Sequence, residues 1–260
     1  MIIDKESVLS RPVCIAGEAF PDEVLNEISK EFTLFVLPKD PELPEGVSGH
    51  GDLLVFSAFD RLVVRASYYE RNRNLFRAAA GEAGKEIVIS ERAVGKRYPD
   101  DCGFCMRFVP FGKQPFIIFN PLSADDVALR MALESGCKPV RVRQGYSACS
   151  AVAVADGAVI TADRGIAKVA EYEGIECLLI KPGGITLPGY PAGGKDDRGF
   201  IGGACGLYGN RLIFAGDYNT LPDADDIASF CLKHGTLPVS VCSGAPFDGG
   251  GLIFFDGVKR

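Results

Sequence analysis

The stretch SAVAVADGAVITADRGIAKVAEYEGIECLLI, residues 150–180, contains one complete structural unit. Asp156-Gly157 separates two short apolar runs, and an Asp-Gly pair in that position is a strong signal for a β-hairpin. A helical stretch follows near residues 165–173, and an apolar strand follows over residues 176–180. The unit therefore has the order strand, strand, helix, strand.

The same order recurs along the chain. The other complete units have strands, helix and strand at 52–56, 61–65, 69–80 and 86–90; at 103–108, 115–119, 125–134 and 139–143; and at 203–208, 211–214, 225–233 and 238–242. The C-terminal residues 249–255 begin a unit that has no helix, and the N-terminal residues 13–37 supply the missing strand, helix and strand. The sequence thus predicts five units, with the last one shared by the two ends.

A closed ring of such units explains why one unit is split, because closure removes exposed sheet edges. We therefore predict a single α/β domain over residues 1–260. The 31 glycines and 16 prolines mark its many turns. A Gly- and Pro-rich insertion over Pro182 to Arg198 interrupts the fourth unit, and it is interpreted as a surface loop or, alternatively, as a lid.

Charge and cysteine content restrict the class of protein. The net charge is −6 and no long basic run is present, so a nucleic-acid partner is not expected. The apolar runs are of strand length, which predicts no membrane span, and Asp4, Lys5 and Glu6 do not fit a secretory signal. Nine scattered cysteines suit a reducing compartment, so we expect a cytoplasmic protein whose oligomeric state the sequence leaves open.

Two motifs connect the five units to a known superfamily. The chain has Gly49-His50-Gly51-Asp52 at the head of one unit and Gly249-Gly250-Gly251 before the last strand. With the unit openings Tyr146 to Cys149 and Tyr98 to Cys102, these features resemble the penteins, a superfamily of guanidine-group-modifying enzymes, in a branch distantly similar to arginine and agmatine deiminases. The resemblance implies a five-bladed ββαβ α/β-propeller.

The sequence departs from the catalytic penteins at two places. Those enzymes carry a nucleophilic cysteine about four residues after the C-terminal glycine run, where this chain has Leu252-Ile-Phe-Phe255. Their Gly-His-x-Asp motif lies in a middle unit, whereas here it opens the first complete unit. A nucleophile must therefore come from another position.

The leading residues of the first strands converge on the axis of such a ring. The group comprises His50, Asp52, Asp101, Cys102, Ser147, Cys149, Cys205 and Asp248. Attack on a cationic guanidinium carbon needs a thiolate, a proton shuttle and carboxylates that pair with the cation. We therefore assign Cys149 as nucleophile and His50 as acid/base, and we assign substrate binding to Asp52, Asp101, Cys102 and Asp217.

Each assignment has a structural alternative. Cys149 could fill the core, His50 could cap a turn, and Asp101 could form an Asx-turn. Asp163 and Asp217 each follow a second strand, where an aspartate often caps the next helix. For the whole protein, the hypothesis of a hydrolase acting on C–N bonds of a guanidino or amidine compound stands beside that of an inactive pentein that serves as a binding or adaptor module.

No metal or other cofactor is expected from the motifs. Cys102-Gly-Phe-Cys105 resembles a metal half-site, but residues three apart on a strand face opposite ways, and no second pair is present. Lys181-Pro-Gly-Gly184 lacks the Gly-Lys-Ser/Thr of a phosphate loop. The expected ligand is a small guanidino-like cation.

Overall fold

The computed structural model describes residues 10–188 and 198–258. Within them the strands form five three-stranded sheets. The sheets are β15–β1–β2 (Leu252–Phe255, Val13–Gly17, Thr33–Leu37), β3–β4–β5 (Val55–Ala58, Arg61–Arg65, Glu86–Ser90), β6–β7–β8 (Arg107–Val109, Phe116–Phe119, Lys138–Arg141), β9–β10–β11 (Ala151–Ala155, Ala158–Thr161, Glu176–Leu179) and β12–β13–β14 (Cys205–Tyr208, Arg211–Phe214, Leu237–Ser240).

Every sheet is built in the same way. The middle strand pairs antiparallel with the first strand and parallel with the third. A parallel neighbour requires a crossover, and a helical segment provides it in each unit. The crossover helices are α1 (Asp22–Glu31), α3 and α4 (Ala66–Arg71 and Arg73–Ala83), α5 (Asp126–Glu134), α7 (Arg164–Tyr172) and α8 (Ala224–Lys233). The predicted order of strand, strand, helix and strand is confirmed.

The two ends of the chain share one sheet. Strand β1 pairs antiparallel with β15, so that Cys14 lies opposite Phe254 and Ala16 lies opposite Leu252. On its other side β1 pairs parallel with β2. The split unit expected from the sequence therefore exists as a three-stranded sheet.

Apolar side chains between the sheets form five buried clusters, and each cluster contains residues of two sheets. The pairs of strands involved are β1 with β3 and β4, β3 and β4 with β7, β7 with β9 and β10, β9 and β10 with β13, and β13 with β1. Every sheet thus contributes to two clusters. Burial of these side chains is the main force that holds the five units together.

The first strands of all five sheets border one cavity of about 520 Å³. Residues of β3, β6, β9, β12 and β15 line it, together with segments that lead into these strands. Charged side chains at its wall include Asp52, Lys85 and Arg107. The polar side chains at the heads of the first strands therefore approach a shared space.

Two first strands begin later than the sequence predicts, because a helical turn precedes them. These turns are α2 (Gly51–Leu54) before β3 and α6 (Ser147–Ser150) before β9. In α2, the Gly51 and Asp52 amides donate to the carbonyls of Gly249 and Gly250, 3.2 and 2.9 Å away. Those amides have tertiary partners instead of strand partners, which ends the strand at Val55.

Other departures from the predicted elements are smaller. The helix expected over 69–80 is two helices, α3 and α4, which meet at Asn72 with φ −126° and ψ 24°. Most of the Gly-rich insertion, residues 189–197, lies outside the described residues. None of the helices in the described chain combines the length and apolar character needed to cross a bilayer.

Candidate functional site

Five polar side chains meet in the interior, and we call them the central cluster. They are His50, Asp52, Cys105, Cys149 and Asp248, and all five are buried. Each precedes the first strand of a sheet: His50 and Asp52 lie before β3, Cys105 before β6, Cys149 before β9 and Asp248 before β15. Four of the five sheets therefore contribute to one site.

Two thiols in the cluster share one carboxylate oxygen. The Cys149 thiol donates to Asp52 Oδ2 at 2.7 Å, and the Cys105 thiol donates to the same oxygen at 3.2 Å. The other oxygen, Asp52 Oδ1, is buried and has no hydrogen-bond partner. A buried acceptor without a partner is costly, so Asp52 retains the capacity to bind a donor or a cation.

His50 and Asp248 complete the cluster on the other side of Cys149. The distance from His50 Nδ1 to Asp248 Oδ1 is 3.7 Å. One ligand atom from each of His50, Cys149 and Asp248 lies within 4.8 Å of the other two. A thiol, an imidazole and a carboxylate in this arrangement are the groups that activate a cysteine nucleophile.

Backbone amides fix the Asp248 carboxylate. Phe200 N donates to Asp248 Oδ2 at 2.8 Å, and Gly250 N donates to Asp248 Oδ1 at 3.2 Å. Gly250 has φ +82°, and a Cβ there would lie 2.6 Å from His50 Cα. Glycine at this position thus allows the C-terminal loop to approach the His50 backbone closely.

Burial keeps the acidic groups of the cluster protonated to a higher pH than usual. Loss of hydration raises the pKa of both Asp52 and Asp248, and the nearby His50 partly opposes the increase. The hydrogen bond with Cys105, followed by burial, raises the pKa of Cys149, and burial raises that of Cys105. Cys149 therefore needs a base to become a thiolate.

Two cavities touch the central cluster. His50, Cys149 and Asp248 border a cavity of about 20 Å³, which Leu187 and Phe200 also line. A space of this size holds about one water molecule. Asp52 instead borders the cavity of about 520 Å³.

Arg107 lies at the wall of the large cavity beside Asp52. Its Nη2 donates to the Ala148 carbonyl, while its Nε is buried without a hydrogen-bond partner. The positive charge of Arg107 lowers the pKa of Asp52, although burial has the larger, opposite effect.

Asp101 and Cys102 lie next to the cluster without joining it. Tyr146 OH donates to Asp101 Oδ2 at 2.5 Å, and Tyr146 itself borders the small cavity. Burial raises the pKa of Asp101 and raises that of Cys102 to about 12. The Cys102 thiol donates to the Pro99 carbonyl at 3.1 Å.

The remaining sequence candidates make local hydrogen bonds. Asp217 Oδ1 accepts from Asn219 N at 3.0 Å at the start of a 3₁₀ helix over Tyr218–Thr220, and Asp163 caps α7. Ser147 Oγ donates to Gln144 O, and Cys205 Sγ donates to Ile201 O. The capping interpretation of Asp163 and Asp217 is therefore the one that their contacts fit.

The sequence analysis missed Cys105 as a site residue. It placed both cysteines of Cys102-Gly-Phe-Cys105 on a strand, but residues 101–104 form turns and β6 begins only at Arg107. Cys105 lies two residues before β6, as Cys149 lies two residues before β9. This equal spacing from equivalent strands is the signal that could have identified it.

Two overlapping sets of side chains in the described chain offer metal-ligand atoms. One is His50, Cys149 and Asp248, and the other is Asp52, Cys105 and Cys149. Within each set the ligand atoms lie within 4.8 Å of one another. The expectation that no metal binds was based on Cys102 and Cys105 alone, and these sets bring in residues that are distant in sequence.

Comparison with solved structures identifies the fold as that of the pentein superfamily, so this resemblance is confirmed. An amidinotransferase of the saxitoxin biosynthetic pathway from Microseira wollei has 10% identity and a TM-score of 0.50, over 98% of this chain and 96% of the other. An agmatine deiminase from C. jejuni has 10% identity and a TM-score of 0.50, over 91% and 89%. DDAH from Pseudomonas aeruginosa, complexed with citrulline, has 12% identity and a TM-score of 0.47, over 88% and 91%.

Within that superfamily the chain belongs to the family described as "Family of unknown function (DUF6873)", whose model matches residues 15–253. No curated protein matches the chain. At these identities the structural likeness concerns the fold, so the chemistry must be argued from the site itself.

Proposed function

We propose that the five sheets close into a five-bladed ring that forms one domain. Two observations support closure. The five apolar clusters connect each sheet to two others in a cycle, and the first strands of all five sheets border the same cavity. In this arrangement the chain ends share the fifth blade through β1 and β15.

We propose that the protein is a cysteine-dependent enzyme that acts on the amidine carbon of a small cationic molecule such as a guanidino compound. The observation that carries this proposal is the placement of Cys149, His50 and Asp248 within 4.8 Å of one another in a buried site. The fold adds support, since one of the similar structures is an agmatine deiminase.

In the first step, His50 takes the Cys149 proton and the sulfur attacks the amidine carbon. The pKa of Cys149 is raised, so proton transfer to His50 is needed for the thiolate to form. Asp248 orients the His50 ring and stabilises its positive charge. The C–N bond then breaks, His50 returns the proton to the departing amine, and an S–C bond holds the rest of the substrate on Cys149.

In the second step, water replaces the amine. His50 takes a proton from the water as its oxygen attacks the carbon bound to sulfur. The S–C bond breaks and the Cys149 sulfur regains a proton. The net reaction consumes one water and converts the amidine group into a urea or amide group with release of an amine.

Asp52 is the residue that we propose to bind the substrate cation. Its free oxygen, Oδ1, can accept from an N–H of a guanidinium group, and a charge-assisted hydrogen bond of this kind is stronger than a neutral one. Asp101 acts indirectly, by holding Tyr146 at the small cavity. We assign no substrate contact to Cys102 or Asp217, because loop carbonyls and helix-cap amides already occupy their polar atoms.

Substrate binding requires local movement at the small cavity. A cavity of about 20 Å³ admits one water and excludes a guanidino group. Leu187 and Phe200 line this cavity, so displacement of their side chains would enlarge it. Movements of side chains at a binding site are common when a ligand binds.

Covalent labelling tests the assignment of Cys149. A chloroacetamidine reagent should alkylate Cys149, as identified by mass spectrometry of peptides, and excess agmatine or arginine should slow the reaction. Cys149→Ala should lose this label. Cys205→Ala is the matched control, because Cys205 is equally buried but donates to the Ile201 carbonyl.

Thermal shift with the same compounds gives an independent readout. A ligand at about 100 times its Kd should stabilise the folded protein by roughly 2.7 kcal/mol. Equal labelling of the parent and Cys149→Ala would contradict the nucleophile assignment. Stabilisation by guanidino compounds without any modification of Cys149 would instead indicate a binding module.

A further inference from the structure

We propose that Asp52, Cys105 and Cys149 form a binding site for a divalent transition-metal ion, with Zn²⁺ as the ion that fits best. This proposal does not rest on the enzymatic function proposed above. It arises from the part of the central cluster that the proposed reaction does not use, namely Cys105 and its shared hydrogen bond with Asp52.

The spacing of the three ligand atoms suits a tetrahedral ion. A carboxylate oxygen of Asp52 and the sulfurs of Cys105 and Cys149 all lie within 4.8 Å of one another. With bonds of about 2.0 Å to oxygen and about 2.3 Å to sulfur, a tetrahedral Zn²⁺ places its ligands about 3.5 to 3.8 Å apart. The three side chains need only small shifts to reach these separations.

The backbone holds the three residues in place. Asp52 N donates to Gly250 O at 2.9 Å, and Cys105 N donates to Cys102 O at 3.1 Å. Ala148 N donates to Cys105 O at 3.2 Å, which joins the segments that carry the two cysteines. A preformed set of ligands loses little conformational entropy on binding.

The donor set selects the kind of ion. Two sulfurs and one carboxylate oxygen match the ligands that Zn²⁺ takes in proteins, whereas Mg²⁺ and Ca²⁺ prefer oxygen alone. The unpartnered Asp52 Oδ1 is a second, independent indication of a ligand, because this buried oxygen has no hydrogen-bond donor. An ion bound by Asp52 would satisfy it.

Three protein ligands leave one position of a tetrahedral ion for water or another small molecule. Asp52 borders the large cavity, which could supply that molecule. Because Cys149 belongs to both sets of ligands, metal binding and nucleophilic attack by its sulfur exclude each other. A bound metal should therefore block alkylation of Cys149.

Cobalt titration of the reduced, chelator-treated protein tests the site directly. One equivalent of Co²⁺ should give sulfur-to-metal charge-transfer absorption in the near ultraviolet and tetrahedral bands in the visible, and one equivalent of Zn²⁺ should remove both. Cys105→Ser and the isosteric Asp52→Asn should each weaken Co²⁺ binding at least tenfold. Circular dichroism of each variant checks that it has folded.

Cys102→Ser is the matched control, because its thiol bonds to Pro99 O and supplies no ligand. It should bind Co²⁺ as the parent does. Absence of stoichiometric binding by the parent, or undiminished binding by folded Asp52→Asn and Cys105→Ser, would overturn the proposal. Loss of binding in Cys102→Ser alone would also overturn it, in favour of a site at Cys102-Gly-Phe-Cys105.

The same preparation separates this proposal from the enzymatic one. Labelling of Cys149 by chloroacetamidine is measured in chelator-treated protein without added metal. Metal binding without labelling would refute only the nucleophile assignment, whereas labelling without metal binding would refute only the metal site.

Discussion

Replacing Gly203 by alanine should destabilise the protein and disturb the central cluster. A Cβ at this position would overlap Asp248 Oδ1 and lie 2.5 Å from Asp248 Cγ. Neither side can yield easily. The Gly203 carbonyl accepts from Gly249 N at 3.1 Å and from Gly251 N at 2.8 Å, while Asp248 is held by two amides of its own.

The expected cost is that of inserting a methyl group into a filled interior, about 2 kcal/mol. For a chain of this size that corresponds to a decrease in Tm of about 4 to 8 °C. Differential scanning calorimetry and urea unfolding would measure it. Because Asp248 must shift, Gly203→Ala should also slow alkylation of Cys149 by chloroacetamidine.

Gly81→Ala is the control for this substitution. Gly81 lies inside α4, and a Cβ there would meet no atom within 4 Å. Alanine is the better helix former by about 0.5–1 kcal/mol, so this variant should gain stability. The reasoning is refuted if Gly203→Ala unfolds at the same temperature as the parent, or gains stability as Gly81→Ala does.

Three further predictions concern the rest of the fold. Asp125→Ala should cost about 2 kcal/mol in urea unfolding, because Asp125 caps α5 through Ala128 N and accepts from buried Ser90 Oγ, whereas exposed Asp126→Ala should cost under about 1 kcal/mol. Burial raises the pKa of Asp101, so the stability that its protonated form contributes is complete below 3.8 and is lost as pH rises through the raised value. Asp101→Asn should therefore gain stability relative to the parent as pH increases from 4 to 7 (~3 pH units) in a urea-unfolding series, and a constant difference would contradict the predicted shift. Phe32→Ala should cost about 3–5 kcal/mol, because this 2% exposed ring packs on rings of β12 and β15, and calorimetry would check it.

The sequence was informative about the fold wherever turns and helix caps are local signals. The hairpin at Asp156-Gly157 forms as predicted, with Gly157 at φ +64°, and Asp163 caps the helix that follows. The helical turn over Gly51–Leu54 was not predictable in this way. Its apolar residues resemble a strand start, and its conformation depends on carbonyls of Gly249 and Gly250, about 200 residues away in sequence.

For the candidate site, position in the repeat was the useful signal. His50, Asp52, Cys149 and Asp248 were selected because they precede first strands, and the structure brings all four together. The contact between Cys149 and Asp52 joins residues 97 positions apart, so no local pattern could show which thiol shares the carboxylate. Cys105 was excluded only because β6 was predicted to begin too early.

The sheet shared by the chain ends also determines when the molecule can be completed during synthesis. Strand β1 is among the first residues made, but its antiparallel partner β15 emerges roughly 200 residues later. At about 5–20 residues per second, the exposed edge of β1 waits on the order of 10–40 s for that partner.

Asp248 and the glycine carbonyls that hold Gly51 and Asp52 belong to the same late segment. A nascent chain would therefore carry its interior thiols in an unfinished pocket until the last residues leave the ribosome. A protein truncated before residue 248 would lack both the final strand and the carboxylate beside His50.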